Sequence, residues 1–251
     1  MRAAEPPSNA PSLGGRSSGP LNYTVRYHAR LTDVARPRPG DALLVATTNP
    51  GKIREIRDIL LGADGLPIRL LTLSDLSSNI PAPDETGRTF AANAAIKALA
   101  YAEASGQPTV AEDSGLAIDA LGGRPGVESA RYPGRDYPER FENLYRELAP
   151  HPRPWTARYV CSLAFVPVPA PGAPPGVLFA TEATVEGEIA SAPRGTNGFG
   201  YDPIFLYPPY GATLGETDAV RKLAVAHRGK AFRQFRDWLR AYGLGRKASF
   251  G

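Results

Sequence analysis

Cysteine is nearly absent. Cys161 is the only one in 251 residues, which excludes an intramolecular disulfide and any cysteine-rich metal site and points to a reducing compartment, the cytoplasm. It lies between Val160 and Ser162 in a strand pattern, where a small core residue is expected. Long apolar runs are missing too, so no membrane span is expected. No Ser-His-Asp or Cys-His signature stands out, and no internal repeat appears. Most of the chain also lacks an excess of either charge. Residues 1–40 carry six arginines against two acids, which accounts for the whole net charge of +4 and leaves residues 41–251 neutral. A nucleic-acid-binding body needs a basic footprint of its own, so no nucleic-acid partner is expected.

Residues 1–40, rich in Pro, Ser, Gly and Arg, read as a disordered extension. Their prolines oppose the amphipathic helix of a transit peptide, and they lack the apolar stretch of a secretory signal. Residues 41–251 read as a single two-lobed domain. Asp41 to Thr47 is a short apolar run typical of a buried strand. Asn49 then suits a helix N-cap with Pro50 at the first helical position, and Ile53, Ile56, Ile59 and Leu60 mark one helix face. Ile68 to Leu73 reads as a second strand. Thr89 to Ser105 is a helix with Phe90, Ala94, Ala98 and Tyr101 along one stripe, closed by Gly106. A strand from Thr109 is expected to end at Glu112-Asp113, with Ser114-Gly115 turning the chain. A helix over 136–148 opens with Asp136 and Glu139, an Asp variant of the capping box. Ala157 to Val166 and Val177 to Ile189 read as long strands joined by a Pro/Gly-rich hairpin loop. Helices over 216–226 and 229–242 finish the chain. Early alternation of strands and helices, with a long hairpin in the middle, predicts an α/β fold: a mixed sheet in two lobes with a cleft between them.

Several stretches could carry chemistry. Thr47-Thr48-Asn49-Pro50-Gly51-Lys52 places a helix N-terminus and a lysine where an anion could bind, or is simply a well-capped helix with an exposed lysine. It is not a Walker A loop, which needs Gly where Ala46 stands and Ser or Thr where Ile53 stands. Adjacent acids at the carboxyl edge of a sheet, Glu112 and Asp113, could work on a ligand there, or form an ordinary acidic turn. With Glu85 from the loop before the long helix they would suit Mg²⁺, which favours one or two carboxylates plus substrate phosphates. Phe199 and Tyr201, set among glycines, could stack on a base or cover the core. Lys222, His227 and Arg228 near the last helix junction suit either a binding pocket or a solvated polar face.

In order along the chain, Ala46-Thr-Thr-Asn-Pro-Gly-Lys52, Asp84-Glu-Thr-Gly87, Ala111-Glu-Asp-Ser-Gly-Leu116, Gly122-Gly-Arg-Pro-Gly126, Ser129-Ala-Arg-Tyr132, Gly198-Phe-Gly-Tyr-Asp-Pro203 and His227-Arg-Gly229 resemble the inosine triphosphate pyrophosphatase family. The resemblance spans about residues 41–243. It implies a long twisted mixed sheet in two lobes flanked by helices, a homodimer, and Mg²⁺-dependent hydrolysis of ITP, dITP and XTP to the monophosphate and pyrophosphate. It further implies that Thr47 to Lys52 hold the triphosphate, that Asp113 accepts the proton, and that Ser114 lies beside the substrate. Phe199, Gly200, Tyr201, Asp202, Lys222, His227 and Arg228 would then form the nucleotide pocket. Glu112 stands where many bacterial relatives have aspartate, and the extension has no counterpart. Two other classes are weighed against this. A regulatory nucleotide-binding module is opposed by the clustered acids, and a nucleic-acid binder working through the tail is opposed by the neutral body.

Overall fold

The computed structural model describes Arg38, residues 40–168 and residues 175–244. The extension expected over residues 1–40 therefore lies, but for Arg38 and Gly40, outside the described residues, as does most of the hairpin loop. Twelve main elements follow one another: β1 (Ala42–Val45), α1 (Pro50–Leu61), β2 (Arg69–Thr72), α2 (Phe90–Ser105), β3 (Thr109–Ile118), α3 (Tyr137–Leu148), β4 (Thr156–Val166), β5 (Phe179–Ile189), β6 (Phe205–Tyr207), β7 (Ala212–Thr213), α4 (Ala219–Val225) and α5 (His227–Leu239). The strands form one mixed sheet in the order β2-β1-β3-β4-β5-β6-β7, parallel from β2 to β3 and antiparallel beyond. No helix among the described residues is long and apolar enough to cross a membrane.

Caps expected from the sequence are in place. Asn49 Oδ1 accepts the Lys52 N–H at 3.1 Å with Pro50 opening α1, and Thr89 Oγ1 accepts the Ala92 N–H to start α2. Gly106 closes α2 in the left-handed conformation. Asp136 caps α3, but Glu139 reaches the Arg135 N–H instead of the cap residue, so the box is half formed. Two helix starts differ from expectation. The helix placed at Glu216 begins at Ala219 on the cap Asp218, because Glu216 turns back to accept the Thr213 N–H. The helix placed at Gly229 begins at His227.

The largest difference concerns β3. It does not end at Asp113 but runs on to Ile118, paired with β4 from Thr109↔Val166 to Ile118↔Ala157. Gly115 is not a turn; it is a close approach. A Cβ there would collide with Ser129 Oγ, which accepts the Leu116 N–H at 2.9 Å. β1 stops against β3 at Val45↔Val110. Among the described residues, no strand lies on that edge of β3 from there until the bridge Ala117↔Pro125. The sheet has a step, and the step opens a cleft at the carboxyl end of β1, where ligands of α/β sheets bind.

The core is divided about this step. Leu116, Ile118, Phe141, Leu144, Val185 and Phe205 pack one lobe. In the other, Leu43, Val45, Ile56, Val110 and Phe232 fill the face under α1 and α5, while Leu44, Ala94, Ala98 and Ala111 fill the face under α2. β3 and β4 run through both lobes, so Glu112–Ser114 cross the open middle.

Candidate active site

The cleft encloses about 330 Å³. Thr47, Thr48, Asn49 and Lys52 line it from the β1–α1 turn, Glu85 from the loop before α2, and Glu112, Asp113 and Ser114 from β3. Phe199, Gly200, Tyr201, Asp202, Lys222, His227 and Arg228 close it on the far side. Pro50 and Gly51 stand behind this wall, in the first turn of α1.

Because β3 is still a regular strand at Glu112 and Asp113, their side chains leave on opposite faces. Glu112 points to the α1 and α5 side. Its Oε1 lies 2.6 Å from Lys52 Nζ and 3.6 Å from Arg228 Nη2, in ion-pair contact without hydrogen-bond geometry. Burial alone would raise its carboxyl, but the Lys52 and Arg228 charges outweigh burial and hold it well below the usual carboxylate range. Asp113 points to α2, where it accepts from Lys97 Nζ at 3.0 Å and Asn93 Nδ2 at 3.2 Å. Burial there prevails over Lys97 and raises the Asp113 carboxyl above its ordinary value. Glu85 Oε1 reaches the same Lys97 amine at 3.2 Å. Asn93 also accepts the Gly87 N–H at 2.8 Å, which ties the Glu85 loop to α2.

The far wall is a chain of buried ion pairs. Glu55, from α1, accepts from Lys222 and Arg228, each at 2.7 Å. Lys222 also donates to Asp202 Oδ2 at 2.7 Å, and Arg228 Nη2 donates to Ser114 Oγ at 2.9 Å. Arg228 Nε and His227 Nδ1 are buried without a hydrogen-bond partner among the described residues. Burial, helped by the Arg228 charge, pushes His227 well below its ordinary value, so the imidazole is neutral. The aromatic pair divides its roles. Tyr201 is core and donates to the Ser129 carbonyl at 2.8 Å. Phe199 stays at the cleft, its ring centroid 4.5 Å from Lys222 Nζ.

A profile of the Ham1 family matches residues 43–238. The dITP/XTP pyrophosphatase of Rhodospirillum centenum is 43% identical over 199 residues, 78% of this chain and 93% of its own. That of Gloeobacter violaceus is 46% identical over 195 residues, 76% of this chain and 91% of its own. The solved HAM1 protein from Coxiella burnetii superposes with a TM-score of 0.69 at 36% identity, covering 80% of this chain and 99% of that one. The chain belongs to the Ham1 family.

In this Ham1 chain the carboxylates assigned to Mg²⁺ do not all converge. Glu85 and Asp113 meet at Lys97, whereas Glu112 serves the opposite face, and among the described residues no three His, Cys, Asp or Glu side chains gather at metal-binding distance. The sequence reading missed Lys97, Asn93, Glu55 and Tyr159. Lys97 and Asn93 flank Ala94 and Ala98 on the buried stripe of α2, and a lysine and an asparagine on an otherwise alanine-lined face were the available signal. Glu55 lies one turn after Lys52, a weaker signal. Nothing local marked Tyr159, a strand residue between Arg158 and Val160.

Gly51 illustrates how α1 shapes the pocket. A Cβ at Gly51 would stand 2.6 Å from the Phe199 ring. Gly51→Ala should therefore push that ring off its seat and raise KM for a purine triphosphate about fivefold, a loss of part of one stacking contact. Thermal stability should not fall, since alanine favours the helix by roughly 1 kcal/mol. Steady-state kinetics beside a melting curve test this, and an unchanged KM would show that the ring does not seat the substrate.

Proposed function

We propose that this chain hydrolyses non-canonical purine nucleoside triphosphates (ITP, dITP and XTP) to the monophosphate and pyrophosphate. Water attacks the α-phosphorus, and residues 41–251 act as one two-lobed catalytic unit. One observation carries this reading: a Ham1-family cleft sets a base-like carboxylate beside a lysine on one face of β3, and a buried polar pocket with an aromatic on the other.

Asp113 is the proton acceptor. It lines the cleft, its raised carboxyl value strengthens it as a base, and Lys97 and Asn93 hold it in one orientation. Lys52 and the start of α1 receive the phosphates. The cleft is lined by five lysines and arginines and four carboxylates, with Glu55 directly behind. It is therefore close to neutral, whereas a triphosphate brings about four negative charges. That deficit favours a divalent cation, and the oxygen donors Glu85 and Asp113 that converge on Lys97 suit Mg²⁺. When bound, the ion would neutralise phosphate charge. Base choice falls to the far wall. Arg228 lines the cleft with a side chain that can only donate, which suits the 6-oxo group of hypoxanthine or xanthine and opposes the amino donor of adenine. A homodimer, implied by the family resemblance, belongs to the same proposal and is read by light scattering.

The test is pyrophosphate release from ITP, XTP, dATP, GTP and TTP side by side, with Mg²⁺ and after chelation by EDTA. Release from ITP and XTP that stops on chelation is expected. Equal release from dATP and ITP would refute the donor pocket, and release from TTP alone would overturn the substrate class.

A further inference from the structure

Tyr159, in β4, is 6% exposed, lines the cleft, and touches two polar groups of the far wall at once. Its hydroxyl donates to Asp202 Oδ1 at 3.4 Å. Its ring stacks on the His227 imidazole, with centroids 4.6 Å apart and planes 13° apart, and its other neighbour is Phe205 at 4.6 Å. Asp202 is held by donors from three elements. Phe199 N–H and Lys222 Nζ, both at 2.7 Å, take Oδ2 and leave Oδ1 to Tyr159. His227 is different: its Nδ1 has no hydrogen-bond partner among the described residues, and the Tyr159 stack is the contact that orients the ring. Chemistry lies elsewhere, since Asp113 and Lys97 meet on the α2 face of the sheet.

We propose that Tyr159 is a positioning residue for base recognition, setting the Asp202 carboxylate through its hydroxyl and the His227 imidazole through its ring. The inference rests on the nucleotide reading of this cleft and assigns selectivity to a residue beneath the pocket. Burial, reinforced by the Asp202 charge, raises the phenol well above its ordinary value, so the hydroxyl remains a donor throughout the working pH range.

Two variants separate the two functions. Tyr159→Phe keeps the ring and deletes the hydroxyl. KM for ITP should rise about two- to tenfold, the effect of one hydrogen bond, with kcat changed less than about twofold. The preference for ITP over ATP should fall by the same factor. Tyr159→Leu also deletes the stack and should raise KM further, while kcat again changes less than KM. Calorimetric affinity for IMP, which needs no hydrolysis, should weaken in the same order. Unchanged KM, preference and IMP affinity in both variants would overturn the proposal, as would a fall in kcat with KM constant. If the unaltered chain binds IMP but releases no pyrophosphate from ITP, the proposed activity fails and IMP affinity alone decides the role of Tyr159. If it binds no IMP, both fail.

Discussion

Asp113→Asn is expected to lower kcat for ITP by about 10²- to 10⁴-fold, the usual contribution of a positioned general base. The substitution keeps shape and removes both the capacity to take a proton and the negative charge that Asp113 would offer to Mg²⁺. Asparagine still offers an oxygen to Lys97, and Lys97 keeps Glu85 at 3.2 Å, so no buried cation is stranded. Nucleotide binding should survive, because Lys52, Lys222 and Arg228, to which we assign the phosphates and the base, lie on the other side of the strand. Single-turnover kinetics with calorimetry of ITP binding in Ca²⁺ would check both halves. A kcat within tenfold of the unaltered chain would remove Asp113 from the chemistry.

The largest effect on stability is expected from Arg228→Met. Arg228 is 2% exposed and faces two carboxylates, Glu55 and Glu112. Without it, the buried carboxylates Glu55, Glu112 and Asp202 share Lys222 and Lys52, one negative charge in excess, which costs about 3–5 kcal/mol. At roughly 2–4 °C per kcal/mol for a chain of this size, Tm should fall by about 6–20 °C near neutral pH. The pH dependence has a definite sign. Burial alone would raise Glu55, but the Arg228 and Lys222 charges outweigh burial and depress it. A depressed carboxylate contributes stability that is present above its unfolded value, ~4.3 for Glu, and is lost as pH falls through the folded value. The Tm gap between the variant and the unaltered chain should therefore be widest near neutrality and close as pH drops below about 4. A second substitution, Glu55→Leu on Arg228→Met, removes the excess carboxylate, leaves Lys222 with Asp202 and Lys52 with Glu112, and should recover part of the loss. A gap independent of pH would indicate lost packing rather than lost charge pairing.

Much of this architecture is legible without coordinates. Asn49 with Pro50, Thr89 with Gly106, and the continuous apolar runs before Thr47 and Glu112 act through contacts within a few residues, and the structure reproduces each. Phe199, Gly200 and the pair His227-Arg228, singled out in the sequence, all line the cleft. The strands β6 and β7 were not legible: they are three and two residues long and are strands only because β5 offers an edge to β6, and β6 in turn to β7. Glu216 misled as a helix start because its partner is Thr213, behind it.

The sequence alone determined the order of the longer elements, the caps of the first helices, the family motifs and about half of the cleft residues. Tertiary structure alone decided which side of the sheet each works on. Ser114-Gly115 looks like a turn until β4, pairing at Ser114↔Cys161 and Gly115↔Val160, holds it extended. Alternation then sends Glu112 to Lys52 and Asp113 to Lys97. Lys97, Glu55 and Tyr159 joined the site for the same reason: a side chain's electrostatic partners are set by what packs against it, and here those partners come from elements far away in the chain.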